Sequence, residues 1–419
     1  MKLKIEKLIY GGYGLARTDE KTVFVTGGVP GEEVKVQITE EKKSYSIAEI
    51  SAIIEPSEYR VEPVCEYFGK CGGCQWQHID YGYQIKSKEA ILKESLEKIA
   101  GITDLQIEPI VASPNQYKYR VRATIHVDTV KGKHVIGFKE EKSHVLVPID
   151  HCEICSPVIS QLVKKISKFL VKYQSKTLPI DMIYILDSQS IPALSLSPKK
   201  DSSHDEVIKL YYYLKERIQG VNISVDNSDE NTANLEVSRL EFITSASVFA
   251  QANPQINELL IKTLIDWADL NKDHNVLDLY CGYGNFSLHL AKKAKFVLSI
   301  DNNKKAIKYA IKNAKKNHIR NCHFEDWNVG KYLQRHKPTE KQELIVLDPP
   351  RNGAKEIIKS IIEISPNKIL YVSCNPTTLA RDLKELTSAG YKLRKVQPFD
   401  MFAQTFHIES LSLLQKELE

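Results

Sequence analysis

Two polar residues at the ends of apolar runs carry the first chemical signal in this chain. One is Cys374, in Val372-Ser373-Cys374-Asn375-Pro376; the other is Asp348, in Ile345-Val346-Leu347-Asp348-Pro349-Pro350-Arg351. A short apolar run that breaks into a polar turn is how a buried parallel strand reaches a binding face. Between them, Ala354 to Ile364 has a helical pattern, so the unit reads strand, helix, strand. Open α/β sheets gather functional groups at the carboxyl ends of strands, which sets Asp348 and Cys374 side by side on one rim. Thr377 to Glu385 reads as the next helix, and its amino-terminal dipole favours a Cys374 thiolate. Such a thiolate is a nucleophile. The alternative is a buried structural cysteine.

A second cluster of chemistry lies upstream. Asn275-Val276-Leu277-Asp278-Leu279-Tyr280 reads as a strand, followed by Cys281-Gly282-Tyr283-Gly284-Asn285 and a helix beginning near Phe286. The glycines allow the backbone close to a ligand at a helix start. A dinucleotide fingerprint needs a third glycine at position 287, where this chain has Ser287. A cofactor without a pyrophosphate suits that pattern better. Phe296 to Ile300 reads as a second strand ending at Asp301, whose carboxylate can accept both hydroxyls of a ribose. A third ends near Phe324-Glu325-Asp326, where Asp326 can meet an adenine edge. The spacing fits an S-adenosylmethionine domain or another nucleotide-binding sheet.

The amino-terminal half holds five of the eight cysteines: Cys65, Cys71, Cys74, Cys152 and Cys155. The pair Gly72-Gly73 lets the backbone fold so that two thiolates face one site. Two pairs with C-x-x-C spacing, Cys71/Cys74 and Cys152/Cys155, fit a four-cysteine zinc site that leaves Cys65 idle. Equally, Cys65, Cys71 and Cys74 fit three corners of an iron-sulfur cluster, with one later cysteine as the fourth. Spacing leaves both readings open.

Positioning these groups takes several elements. At 419 residues the chain is long enough for two or three domains. Residues 1–55 alternate in short strands: Leu3/Ile5, Thr22 to Thr26, Val34 to Ile38 and Ile47 to Ile50. Turns at Gly11-Gly12-Tyr13-Gly14 and Val29-Pro30-Gly31-Glu32 separate them, the pattern of a small β-barrel. Residues 56–240 are mixed α+β and contain the cysteines, and residues 241–419 follow as the α/β unit. In the centre, Tyr117-Lys118-Tyr119-Arg120-Val121-Arg122 interleaves aromatic and basic side chains, which suits stacking on bases and pairing with phosphates, or else a plain amphipathic strand. Asp226 to Asn234 reads as a polar loop. A hydrophobic share of 42%, no run of 18 apolar residues and a start of Met1-Lys2-Leu3-Lys4 point to a cytoplasmic protein with no membrane partner. The net charge of +5 permits a nucleic-acid partner without demanding one. Eight cysteines in such a chain argue for metal binding or catalysis rather than disulfides.

Together these residues resemble the RNA uracil-C5 methyltransferases, which make 5-methyluridine in transfer or ribosomal RNA. The resemblance spans nearly the whole chain. Its first half rests on Cys65-x5-Cys71-Gly-Gly-Cys74-x2-Gln77-His78, Phe249-Ala250-Gln251-x-Asn253 and Asp278-Leu279-Tyr280-Cys281-Gly282-x-Gly284-Asn285-Phe286. The second half rests on Asp348-Pro349-Pro350-Arg351, Ser373-Cys374-Asn375-Pro376 and His407-Ile408-Glu409-Ser410. The resemblance implies a Rossmann-like S-adenosylmethionine-dependent methyltransferase domain, a central domain with a [4Fe-4S] cluster, and an amino-terminal TRAM barrel that contacts RNA. It implies Cys65, Cys71, Cys74 and Cys152 as cluster ligands and leaves Cys155 without a role, so zinc remains the alternative. The cluster is expected to be structural.

The chemistry also follows from the substrate. Uracil C5 is too weak a nucleophile to take a methyl group unaided, but a thiolate added at C6 makes an enolate with nucleophilic density on C5. A base must then remove the C5 proton so that the thiolate can leave. The resemblance implies Cys374 as nucleophile and Glu409 as base, with His407 competing for the second role. It implies Gln251, Tyr280, Asn285, Asp301, Asp326 and Asp348 as contacts to S-adenosylmethionine, with Asn328 an alternative to Asp326. Ribosomal RNA is favoured over transfer RNA by the barrel, no DNA partner is expected, and the protein is expected to be a monomer. The reading from a different class is a non-catalytic RNA-binding or assembly protein with a vestigial methyltransferase domain.

Overall fold

A computed structural model describes residues 1–105, 107–226, 232–336, 338 and 340–417. Part of the loop expected at 226–234 lies outside the described residues. The first unit is a six-stranded sheet of Lys2–Lys4, Lys7–Leu8, Gly14–Arg17, Thr22–Thr26, Glu33–Glu41 and Tyr45–Glu55. Alternation turns Val23, Val25, Val34, Val36 and Ala48 inward onto Leu3 and Ile5. Two short strands, Lys7–Leu8 and Gly14–Arg17, are too brief to show a period in the sequence.

The centre is a second six-stranded sheet, in the order Asn222–Val225, Ala193–Pro198, Ile180–Leu186, Arg122–Val130, Lys133–Lys139, Leu146–Pro148. Helices Pro157–Leu170 and His204–Arg217 bury their apolar stripes against it. Each starts on a serine cap: the side chain of Ser156 accepts from Ile159 N, and that of Ser203 from Glu206 N.

The carboxy-terminal sheet has seven strands: β1 (Asn275–Leu279), β2 (Phe296–Asp301), β3 (Cys322–Asp326), β4 (Leu344–Leu347), β5 (Lys368–Ser373), β6 (Tyr391–Phe399) and β7 (Glu409–Lys416). Their order is β3-β2-β1-β4-β5-β7-β6, parallel through β5 and antiparallel at β7 and β6. β4 is apolar throughout, β1 and β5 are mostly so, and all three are buried almost end to end, as a helix-covered parallel sheet requires.

Two expectations need correction. The helix expected over Ala354 to Ile364 starts only at Ile358. Residues 354–357 form a turn instead, in which the Ala354 N–H donates to Asp382 Oδ2 (2.7 Å) and the Tyr371 hydroxyl (3.1 Å). The helix after the glycine loop begins where expected, running over Ser287–Ala291 with Phe286 at its cap. Lastly, helix Tyr81–Ser95 packs with the carboxy-terminal unit rather than with the central sheet around it in sequence. Leu92, Leu96 and Ala100 share a core with Leu379, Leu383 and Leu386. The chain then runs beside edge strand β6, where Glu108 N donates to Val396 O and Val111 N to Pro398 O.

This detour hangs the loop between β6 and β7 from the amino-terminal half. Lys88, wholly buried, donates to Asp400 Oδ1 (2.5 Å) and Phe402 O (3.1 Å), and the Tyr81 hydroxyl donates to Asp400 Oδ2 (2.6 Å). Gln84 and Gln404 exchange hydrogen bonds, and Gln75 N and Trp76 N both donate to Gln404 O. A buried charge pair of this kind is tolerated because its remaining lone pairs and protons are also satisfied.

Candidate active site

The carboxyl ends of the parallel strands open onto one cavity of about 590 Å³. Asp301 ends β2, Asp348 follows β4 and Cys374 follows β5; all three line it, with Gln251 and Tyr280. β7 is antiparallel, so its first residue arrives where the parallel strands end. Ser373 pairs with Ser410, which brings Glu409 to Cys374 at the same rim.

Local backbone geometry explains several of these placements. Tyr280 sits at φ 66°, a left-handed conformation uncommon outside glycine, while Tyr280 N and Cys281 N both donate to Ile300 O. The chain thereby turns off β1 into the glycine loop. Asp301 accepts Gly282 N on one oxygen (2.9 Å) and Asn303 N on the other (2.7 Å). Each carboxylate oxygen keeps a lone pair for a further donor.

The site is crowded with acids. Burial, opposed by a bond from Ser287, pushes the Asp278 carboxyl up to about 7. Burial and the neighbouring Asp278 and Asp301 push Asp348 up to about 7. Burial and Asp348 hold Glu409 well above the usual carboxylate range. Cys374 does not behave as its helix dipole suggested: burial, then Glu409 and Asp348, push the thiol up to about 12, against the pull of Arg351. In the folded chain without a cationic ligand, desolvation outweighs the amino terminus of helix Pro376–Ser388.

His407 is placed differently. Burial and the positive charges of Arg351, Lys88 and Arg120 drive its ring down to about 3. The Arg351 guanidinium lies 3.2 Å from Nε2, and because arginine can only donate, that nitrogen accepts.

Two expected cofactor residues do not line the cavity. Asn285 is buried, and its amide exchanges two 3.0 Å hydrogen bonds with Asn257. Asp326 pairs with Asp301 across β2 and β3 but stays outside, on the exposed rim. Asn328, the alternative, is occupied: its side chain caps helix Val329–Arg335 through Lys331 N at 3.0 Å.

Tyr117 to Arg122 is neither a stacking surface nor a strand. Tyr119 is buried with its hydroxyl on Ala403 O (2.9 Å), and the strand starts only at Arg122. Residues that the motifs contained without an assigned role matter more. Arg351 is a cation at the rim, Phe249 is 58% exposed yet lines the cavity, and the Arg122 guanidinium lies 5.7 Å from its ring centroid. Ser287, standing where a dinucleotide fingerprint has glycine, donates to Asp278 Oδ2 at 2.5 Å.

The profile of the tRNA (uracil-5-)-methyltransferase family matches residues 80–417, and that of the TRAM domain matches residues 1–51. The chain belongs to the tRNA (uracil-5-)-methyltransferase family. A Haemophilus parainfluenzae protein named 23S rRNA (uracil(1939)-C(5))-methyltransferase is 36% identical over 430 residues, covering 99% of this chain and 96% of its own. An uncharacterised RNA methyltransferase of Clostridium tetani is 33% identical over 436 residues, covering 96% and 93%. In fold, the chain superimposes on the Pyrococcus abyssi tRNA (uracil-54, C5)-methyltransferase solved with S-adenosyl-L-homocysteine. The TM-score is 0.73 at 23% identity, over 99% of this chain and 100% of that one. This is therefore an S-adenosylmethionine-dependent RNA uracil-C5 methyltransferase with an amino-terminal TRAM domain, and the non-catalytic alternative falls.

In this methyltransferase a second cavity of about 180 Å³ is lined by Cys65, Cys71, Cys74, Cys152, Cys155 and Arg120. Gly72 is needed there, since a Cβ would meet Glu141 N at 2.7 Å. Burial pushes Cys71 up to about 11 and Cys74 to about 12, while a hydrogen bond with Cys155 brings Cys152 down to about 7. Among the described residues no three of these thiols lie within 4.8 Å of one another.

The Asp278 carboxyl gives a test of the acidic rim. It titrates near 7 when folded against 3.8 when free, so protonation favours the fold. That contribution is complete below about pH 4 and is lost as pH rises through about 7. Asp278→Asn, which cannot ionise, should exceed the parent in thermal stability by more at pH 8 than at pH 5, with a ceiling of about 4 kcal/mol. Melting curves without cofactor that show equal differences at both pH values would mean the Asp278 carboxyl ionises in the folded chain as readily as in the unfolded one.

Proposed function

We propose that the enzyme methylates C5 of one uridine in ribosomal RNA through a covalent adduct between Cys374 and uracil C6. The observation that carries this reading is the meeting of Cys374 and Glu409 at the junction of β5 and β7, in the cavity that also holds Asp301 and Asp348. When bound, S-adenosylmethionine supplies an electrophilic methyl on a positively charged sulfur, a charge that favours ionisation of the buried thiol and acids.

Gln251, Tyr280, Asp301 and Asp348 hold the cofactor, with Asp301 on the ribose hydroxyls and Asp326 at the adenine end of the rim. Cys374 Sγ bonds to C6, and the electron pair of the C5–C6 bond moves into an enolate that is stabilised on O4. C5 would take the methyl group as the bond between that methyl and the cofactor's sulfur breaks, its electron pair leaving on the neutral thioether S-adenosylhomocysteine. Glu409 then removes the C5 proton, the C6–S bond breaks, and the thiolate of Cys374 is regenerated. The raised affinity of Glu409 for protons suits that role once it is ionised. His407 does not suit it, with a ring held near 3 and Nε2 already accepting from Arg351.

Cys374→Ala should abolish methylation while leaving S-adenosylmethionine affinity within a few fold. Glu409→Gln should accumulate enzyme covalently linked to methylated RNA, visible as a shifted band on denaturing gels. Turnover by Cys374→Ala rules out the adduct; a shift with His407→Ala in place of Glu409→Gln moves the base to His407.

Support for ribosomal RNA comes from relatives named for 23S rRNA that match almost the whole chain, barrel included. Such a substrate puts the enzyme in the cytoplasm, with residues 1–55 and 56–240 gripping RNA and 241–419 performing the chemistry. Mapping 5-methyluridine in cells with and without the gene should lose one site in large-subunit ribosomal RNA. Loss of a transfer RNA site alone overturns the assignment.

For the second cavity, a [4Fe-4S] cluster on Cys65, Cys71, Cys74 and Cys152 fits better than zinc. Sulfurs around one tetrahedral zinc stand about 3.8 Å apart, closer than these thiols are grouped. A cluster spreads its thiolates wider because each binds a different iron. Cys155 then serves as the hydrogen-bond partner of Cys152. Anaerobically purified protein should contain about four irons and four sulfides per chain. Cys65→Ala should lose them and Cys155→Ala should keep them. One equivalent of zinc without acid-labile sulfide sinks the cluster.

A further inference from the structure

The TRAM barrel reaches the nucleophile itself. Its first turn, Tyr10-Gly11-Gly12-Tyr13, extends from the barrel to the rim of the methyltransferase cavity, and there the Tyr10 hydroxyl donates to the carbonyl oxygen of Cys374 at 3.3 Å. We propose that Tyr10 is a positioning residue for methyl transfer: by fixing the Cys374 carbonyl it sets the angle at which the thiol faces the substrate, so the barrel completes the active site as well as contacting RNA.

Five observations support this. The Tyr10 ring meets Phe406 edge-on at 5.3 Å, and Phe406 lies 4.3 Å from the His407 ring, so the same side chain steadies the opposite wall. The turn is tightly seated: a Cβ on Gly12 would stand 3.1 Å from both Gln75 Cβ and Phe406 Cδ1, and Gly12 has φ +91°. Trp76 Nε1 donates to Gly12 O at 3.3 Å, tying the turn to the cysteine-bearing segment. Leu8 and Val29 from the barrel, Trp76 and Ile79 from that segment, and Ile408 from the methyltransferase unit form one apolar cluster around Tyr10. Burial and the nearby Cys374 also push the Tyr10 hydroxyl up to about 12, so at neutral pH it remains a donor.

Cys374 stands at the hinge between β5 and helix Pro376–Ser388, and the groups around it are already tied. Ser410 Oγ donates to Ser373 O, and Asn375 Oδ1 caps the helix at Thr377 N. The Tyr10 hydroxyl adds a donor from outside the methyltransferase unit. It comes from a segment that the methyltransferase profile, beginning at residue 80, does not include.

The proposal rests on Cys374 being the nucleophile, and the test separates the two ideas. Purified full-length parent and Tyr10→Phe are compared in steady-state methylation and in single-turnover trapping with RNA carrying 5-fluorouridine, whose C5 fluorine cannot leave as a proton. A hydrogen bond of this kind is worth about a five- to tenfold effect. Tyr10→Phe should lower kcat and the trapping rate by that factor, with KM for RNA, S-adenosylmethionine affinity and melting temperature unchanged. Gly12→Ala, which displaces the whole turn, should show the same split. A raised KM for RNA at unchanged kcat would mean the barrel only grips RNA, and unchanged kinetics in Tyr10→Phe would equally overturn the proposal. Failure of the parent to trap would instead sink the covalent reading, with the kcat–KM split still reporting on Tyr10.

Discussion

Buried acids pushed towards their neutral forms by desolvation and by one another are the constraint on which the carboxy-terminal unit is built. Asp301, Asp348 and Glu409 gather at one edge of a parallel sheet with the thiol of Cys374, and Asp278, buried within β1, lies close enough to push Asp348 up. Each raises the affinity of its neighbours for protons, and among the described residues Asp278 Oδ1 has no hydrogen-bond partner. Arg351 is the cation facing them, and it is shared with His407. A ligand carrying a positive sulfur answers this arrangement, while one carrying a pyrophosphate would meet repulsion. The same point explains Ser287, which gives Asp278 a donor where a dinucleotide fold has a bare glycine. Five strands running the same way put every carboxyl end on one edge, and an antiparallel β7 adds Glu409 to that edge from the other direction.

The opposite wall of the cavity is held from outside the sheet. Residues 400–407 carry Phe402 and His407, and they are anchored by Lys88 and Tyr81 on Asp400, Gln84 on Gln404 and Tyr119 on Ala403. These partners all come from residues 81–119, immediately after the cysteine segment, whose Gln75 and Trp76 also bond Gln404. Ordering of the cysteine cavity and ordering of the substrate side of the catalytic cavity are therefore mechanically linked. That linkage would give the metal centre proposed for the cysteine cavity a reason to persist in an enzyme whose chemistry does not call for it.

Much of the site was legible because it follows local rules. Asp301, Asp348 and Cys374 end apolar runs, and parallel pairing alone brings such ends together. Asn285 and Asp326 were legible as motif residues but not as cavity residues. Asn285, in the glycine loop, is turned away by its exchange of bonds with Asn257 of helix Pro254–Ala268. Tyr117 to Arg122 looked like an aromatic and basic surface; Tyr119 is instead buried beneath a loop nearly 300 residues later. The ionisation of Cys374 was read from a helix dipole, a local feature, and was overruled by desolvation and by acids on other strands.

By itself, the sequence determined the element types, the barrel-centre-sheet succession, the chemistry at strand ends and the cysteine set, since these depend on periodicity, turn residues and spacing along the chain. Only the tertiary structure decided which unit helix Tyr81–Ser95 joins, whether His407 can take a proton, and that Tyr10 of the first turn reaches Cys374. Those outcomes depend on burial, on charges brought close from distant segments, and on contacts across more than 300 residues of chain. No local pattern encodes such contacts, because they exist only once the units have packed against one another.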